Sequence, residues 1–333
     1  MREQLPRGLR PFDDPWGIVW RAHKMVKRVD AGRSWRQQRA RFLDLHQEAP
    51  IFVLGVPRSA TTAVYRLLAS HPDLRSIGRE GHDCWRAFHH PRRSGWSSDW
   101  VRAGQVSRRE RSFVPRWWYA RAGDGRFIDK TPCNAMRIAY LLDLFPDAHI
   151  LWAKRDPRAV LCSLLNGWEH ELGRFRTYYV PERLSISGYD SSRQWCFGLP
   201  DGWRDLREST IPQVVAEQYR QYSQGPLEAR SFAPPAQWHE VFFEDLLAWP
   251  IDTTHGLLAE LHLAADPGVD ERARALQDGP VNVMSSDGPS SWRDRADEVL
   301  TLVEKLRLPI SESGYDVDGL LAGTEPAPRG TFV

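Results

Sequence analysis

At 333 residues, with 41% hydrophobic and 26% charged side chains, the chain carries enough apolar mass for one large α/β domain or two smaller ones. A formal charge of +2 gives no ground for wholesale attraction to nucleic acid or membrane, so any cationic site is local. Four scattered cysteines (Cys84, Cys133, Cys162, Cys196) offer neither a CxxC pair nor a zinc-like spacing, and no 18 apolar residues run together, so a reduced, cytoplasmic protein is expected. Residues 1–49 mix basic and aromatic side chains at helical spacings (Trp16, Val19, Trp20, His23, Val26) and read as helices packing on the core that follows, 50–310. Residues 51–54 are a strand, 55–60 a small-residue turn, and Ala63, Val64, Leu67 and Leu68 give the helical period of the next element. A second short strand at 74–77 runs into Gly78-Arg79-Glu80-Gly81-His82.

Residues 84–119 lose both periods and read as an irregular, aromatic-rich insertion, serving cleft or core equally well. A strand is predicted at 126–129, then a helix capped by Thr131 with Pro132 at its first position and running to Phe145. Residues 149–153 form a strand, Lys154-Arg155 its end, and Asp156-Pro157 caps another helix. A second insertion, 168–212, suits a lid; helix 211–221, strand 237–243, helix 245–263, a polar loop at 280–292 and helix 293–306 follow, with 311–333 as a tail. The pattern implies an α/β fold with a central parallel sheet flanked by helices on both faces.

The turn at 55–60 is the first chemical corner. A helix leaving a buried strand aims its unpaired N–H groups and its dipole at whatever lies above the strand end, which favours anions. Arg58, Ser59, Thr61 and Thr62 add a cation and three hydroxyls. The pattern G-x-x-x-x-G-K-[ST] of nucleoside-triphosphate loops fails in register: Ala60 stands at the second glycine and Thr61 at the lysine. Lys154-Arg155 makes a second cationic strand end. Only five lysines occur (Lys24, Lys27, Lys130, Lys154, Lys305), so one beside a motif carries weight.

The two corners resemble those of sulfotransferases that use 3′-phosphoadenosine 5′-phosphosulfate (PAPS), of the bacterial and Golgi-type branch. Pro57-Arg58-Ser59-Ala60-Thr61-Thr62 is similar to the family's 5′-phosphosulfate loop. Arg155-Asp156-Pro157-Arg158-Ala159-Val160 with Ser163 is similar to its 3′-phosphate motif, and Asp129-Lys130-Thr131-Pro132 lies between them. The resemblance implies a P-loop-like fold and PAPS as co-substrate, with no metal and a small-molecule acceptor. It implies Arg58, Ser59, Ala60, Thr61 and Thr62 at the 5′ end, Arg155 and Ser163 at the 3′-phosphate, and Phe243 and Trp292 near the adenine. It also implies Arg58 and Lys130 as catalytic cations. The branch's glutamate after the second strand corresponds to Glu80 as base, with His82 and His170 in reserve; the position where cytosolic members hold a histidine is Pro132. Ala60 replaces a usual glycine, tolerable at negative φ and costly at positive φ. A nucleotide kinase or hydrolase, and a non-catalytic nucleotide-binding relative, are the alternatives.

Overall fold

The computed structural model describes residues 49–170, 173, 175–278 and 291–330; the N-terminal helices expected within 1–48 and most of the loop expected at 280–292 lie outside them. The central sheet consists of β1 (Ile51–Leu54), β2 (Leu74–Arg75), β3 (Arg126–Asp129), β4 (His149–Lys154) and β7 (Trp238–Phe242), in the order β2-β3-β1-β4-β7. All four pairings are parallel, and β1 in the middle matches Ile51 to Ile128 on one side and to His149 on the other. β5 (Arg176–Tyr179) and β6 (Gln194–Cys196) form a separate antiparallel pair.

A parallel sheet needs both faces covered, and alternation along each strand supplies two apolar layers. Phe52, Leu54, Ile150 and Trp152 point into the larger core, while Ile51, Val53, Leu151 and Ala153 point into the other. The larger core receives α2 (His82–His89), α3 (Arg108–Ala122), α4 (Ile138–Leu144), α5 (Pro157–Glu169) and α6 (Ile211–Ala229). It also receives α10 (Ala296–Lys305), α11 (Arg307–Glu312) and α12 (Val317–Leu321). The smaller core lies under α1 (Thr61–Leu68), α7 (Phe243–Ala248), α8 (Pro250–Glu260) and α9 (Pro267–Arg274). Each large side chain buried this way contributes about 1.5–3 kcal/mol.

Several expected elements differ. Within 84–119 the chain is largely helical, and Trp85, Trp117 and Trp118 are core rather than cleft. The helix expected from Thr131 begins as a 3-10 turn, Pro132–Met136, breaks at Arg137 (φ −137°) and only then becomes α4; Thr131 makes no capping bond. The single helix expected over 245–263 is split at Trp249, because Pro250 opens a new first turn. α6 runs on to Ala229 through Pro226. Asp156 caps α5 as expected, accepting from Arg158 N at 2.9 Å. Residues 311–330, read from the sequence as a tail, hold α12 and bury Tyr315, Val317 and Leu320. Beyond α12, Glu325 pairs with Arg158 at 3.3 Å and with Arg293, and Asp245 accepts from Arg329 N at 2.5 Å.

Candidate active site

In an open parallel sheet, groups that follow strands converge at the carboxyl edge. Here β1 delivers residues 55–60, β2 delivers 76–81, β3 delivers Lys130 and β4 delivers Lys154-Arg155, all at one edge. The β1 turn is bent sharply. Gly55 has φ +155°, and a Cβ there would sit 2.4 Å from the Ala153 carbonyl oxygen and 2.7 Å from Ser59 Oγ. Ser59 Oγ donates to that same carbonyl at 2.9 Å, fastening the turn to β4. Arg58 (φ 78°) and Ala60 (φ 63°, ψ 11°) are both left-handed, so Ala60 falls in the costly case. Such a residue costs about 1–2 kcal/mol. No side chain caps α1, and Thr61 and Thr62 of its first turn line the cleft above this edge.

A cleft of about 580 Å³ opens above this edge. Arg58, Thr61, Thr62, Glu80, His82 and Lys130 line it together with Pro132, Cys133, Phe175, Phe197 and Tyr222. The aromatic wall comes from the β5–β6 pair: Phe197 N donates to Phe175 O at 2.9 Å, and the two rings stack at 5.0 Å. Phe197 is itself left-handed, φ 60°. The segment expected as a lid thus supplies a wall, and Phe175 also lies 5.3 Å from the Arg58 guanidinium.

Glu80, Lys130 and His82 form one cluster. Lys130 Nζ donates to Glu80 Oε1, and His82 Nε2 lies 2.7 Å from Glu80 Oε2. Burial raises the Glu80 carboxyl, but the His82 hydrogen bond and the Lys130 charge outweigh it and hold the group at about 2. Burial lowers His82, and against the ionised Glu80 carboxylate, which can only accept, its Nε2–H is the donor. Beneath them Asp129 is 1% exposed, and burial pushes it up to about 7. Its part in the site was not read from the sequence.

Arg58 Nε donates to Ser163 Oγ at 2.8 Å, so the loop after β1 and the helix after β4 meet directly. Arg155 lies apart from the main cleft, in a narrow pocket with Ser59, Lys154 and Tyr315, its guanidinium 5.6 Å from the Phe243 ring. Phe243 opens α7, where a strand end was expected. Asp156 already caps α5, so an anion at this second corner depends on side chains more than on helix amides. Trp292 carries the Arg158 and Arg293 guanidinium groups over its ring, at 4.2 and 4.7 Å, and is 9% exposed, which leaves little ring for an adenine. His170 ends α5, edge-on to Phe175 at 6.4 Å, and does not line the cleft.

Among the described residues, no three His, Cys, Asp or Glu side chains gather as a metal site, all four cysteines are free, and no helix is long and apolar enough to cross a membrane.

A small-residue loop between the middle strand of a parallel sheet and the helix that follows, with a second cationic strand end beside it, is the arrangement of a P-loop-like α/β fold. The chain belongs to the sulfotransferase family, whose pattern it matches over residues 50–267. It is 34% identical over 138 residues to nodulation protein NoeE of Sinorhizobium fredii, covering 35% of this chain and 31% of that protein. It is 30% identical over 168 residues to a protein-tyrosine sulfotransferase of Drosophila melanogaster, covering 46% and 29%. The matched stretches thus span about a third of those curated relatives. In fold it is similar to the sulfotransferase STF9 of Mycobacterium avium, with TM-score 0.53 and 17% identity over 84% of this chain and 79% of that one.

Proposed function

We propose that the chain transfers the sulfuryl group of PAPS to a hydroxyl of a small or medium organic acceptor, aromatic acceptors foremost. The observation that carries this reading is the single cleft that joins the loop after β1, the Glu80–Lys130 pair and the stacked Phe175–Phe197 wall. The open first turn of α1 with Thr61 and Thr62 receives the 5′ end of PAPS; Arg155 and Ser163 receive the 3′-phosphate, and Phe243 flanks the adenine.

In the transfer, the acceptor oxygen forms a bond to sulfur while the bond from sulfur to the 5′-phosphate oxygen breaks, and that electron pair leaves with the 3′,5′-bisphosphate (PAP). The acceptor proton passes to Glu80. Such reactions need alignment and neutralised charge more than covalent help. Arg58 offsets charge on the leaving phosphate and Lys130 that on the travelling sulfuryl oxygens. Lys130 has a second effect. As its ammonium turns from Glu80 toward the sulfuryl group, Glu80 loses a charge that keeps its pKa low and becomes the stronger base when a proton must be taken. The aromatic wall lets a flat ring lie against Phe175 and Phe197 with its hydroxyl toward Glu80.

Calorimetric titration with PAP tests the cofactor assignment. Wild type binds, and Arg155→Ala binds about tenfold or more weakly, the scale of a lost charged hydrogen bond. Absence of PAP binding by wild type refutes the reading. Incubation with PAPS and a panel of phenols, sugars and lipids, read by mass spectrometry as a gain of SO₃, then names the acceptor class.

A further inference from the structure

Asp129 closes β3 immediately before Lys130, and its carboxylate is among the most fully buried in the chain. It accepts four hydrogen bonds, all from neutral donors. Gly81 N (3.2 Å) and Thr131 Oγ1 (3.0 Å) reach Oδ1; Trp85 Nε1 (2.8 Å) and Asn134 Nδ2 (2.9 Å) reach Oδ2. Gly81 directly follows Glu80 and is pressed onto this group: a Cβ there would lie 3.0 Å from Asp129 Oδ1 and 2.9 Å from Trp85 Nε1. The Gly81 amide is shared: it donates to Thr131 Oγ1 at 2.8 Å as well as to Asp129 Oδ1, and Thr131 Oγ1 donates in turn to Asp129. Glu80 therefore hangs from Asp129 both directly and through the Thr131 hydroxyl, and Lys130 through the chain itself.

We propose that ionised Asp129 is the positioning residue that sets Glu80 and Lys130 against each other. The inference rests on the reading of those two as catalytic groups.

A charged acceptor holds both the Gly81 amide and the Thr131 hydroxyl on which that amide also rests more tightly than a protonated one, so a proton on Asp129 loosens the anchor of Glu80. The surroundings accommodate that proton. Asn134 Oδ1 is buried without a hydrogen-bond partner, on the same amide whose nitrogen donates to Asp129. A flip of that amide presents the idle oxygen to a protonated Oδ2. The titratable neighbours are Glu80 on the preceding loop, Lys130 next in sequence, Tyr65 of α1 and Cys84 of α2; burial raises both the Tyr65 hydroxyl and the Cys84 thiol, so they stay neutral. α3 presents Trp118, which would lie 2.8 Å from a Cβ on Gly81. Burial pushes Asp129 up to about 7, whereas Lys130 and His82 hold resting Glu80 at about 2, so of the two carboxylates it is Asp129 that takes up a proton on mild acidification of the resting protein.

The test follows the Trp85 indole N–H and Gly81 amide resonances of the full chain by ¹⁵N NMR from mildly acidic to mildly alkaline pH, alongside PAP release from PAPS with 4-nitrophenol or water as acceptor. In wild type and Glu80→Gln both resonances titrate together near neutrality; in Asp129→Asn, which the same Asn134 flip accommodates, they stay flat. Asp129→Asn keeps wild-type PAP affinity, releases PAP about tenfold or more slowly above the transition, and lacks the acid limb of the rate profile. Flat resonances in wild type, or a wild-type rate and pH profile in Asp129→Asn, overturn the proposal. If Glu80→Gln and Lys130→Ala turn over normally while Trp85 still titrates, the catalytic reading fails instead, and the two failures are told apart.

Discussion

Replacing Gly55 by alanine puts one methyl group where the loop after β1 passes the backbone of β4. The φ of +155° is strained for any L side chain, at about 1–3 kcal/mol. The new Cβ also lies 2.4 Å from the Ala153 carbonyl oxygen, a backbone atom that β4 holds in place, so the loop must lift. Lifting breaks the bond from Ser59 Oγ to that carbonyl, for another 0.5–1.5 kcal/mol or so. Reduced freedom of the unfolded chain returns about 0.4–1 kcal/mol. The net loss is about 1–4 kcal/mol, or a fall in Tm of roughly 2–16 °C at about 2–4 °C per kcal/mol for a domain of this size. Differential scanning calorimetry reads the fall, and titration with PAP reads the loss of the 5′ corner. A variant that melts within a degree of wild type and binds PAP equally well would refute the argument that this carbonyl contact shapes the loop.

Ala60→Gly moves the other way: it relieves a left-handed alanine, so calorimetry should show Tm unchanged or raised, never lowered as in Gly55→Ala. Glu80→Gln should leave PAP affinity intact and cut turnover by about a hundredfold or more in steady-state assays. Its stability effect has a defined pH sense. The folded pKa of Glu80 lies below its ordinary 4.5, so the stabilisation by Lys130 and His82 is full above pH 4.5 and fades as pH falls toward 2. Denaturant melts should therefore separate Glu80→Gln from wild type at neutral pH and bring them together in strong acid. Arg58→Ala and Ser163→Ala should be non-additive in PAP affinity, with a double-mutant coupling of about 1–3 kcal/mol for the bond they share; strict additivity would mean that bond is absent in solution.

The corners at 51–62 and 149–163 were legible because their signals are local: a short apolar run, a breaking Gly or Pro, then the helical period. Glu80 was reachable by the rule that ligands gather after strands. Other features had signals that were passed over. Ser107 and Glu110 form the capping box of α3, three residues apart in the sequence. Pro250 divides α7 from α8 for the reason any proline does. The break at Arg137 had no local mark, since Pro132 opens a 3-10 turn as readily as an α-helix. Phe197 lay beyond the sequence altogether. Its left-handed backbone is held by the bond to Phe175 and by ring stacking, contacts that exist only once β5 and β6 are paired. Asp129 was visible as a letter, but two of its four donors, Gly81 and Trp85, lie more than forty residues before it and meet it only in the folded chain.

The contacts of Glu325 and Arg329 bear on the order in which the protein is made. The corner at 155–158 forms early in the chain, yet Arg158 acquires its second carboxylate from Glu325, and the Phe242 ring acquires the Arg329 guanidinium 3.7 Å away. During synthesis some 170 residues must follow before the contacts of that corner are complete, and Asp156, two positions from Arg158, keeps the guanidinium paired meanwhile. A chain still held by the ribosome near residue 325 has its first anion corner assembled and its second one unfinished.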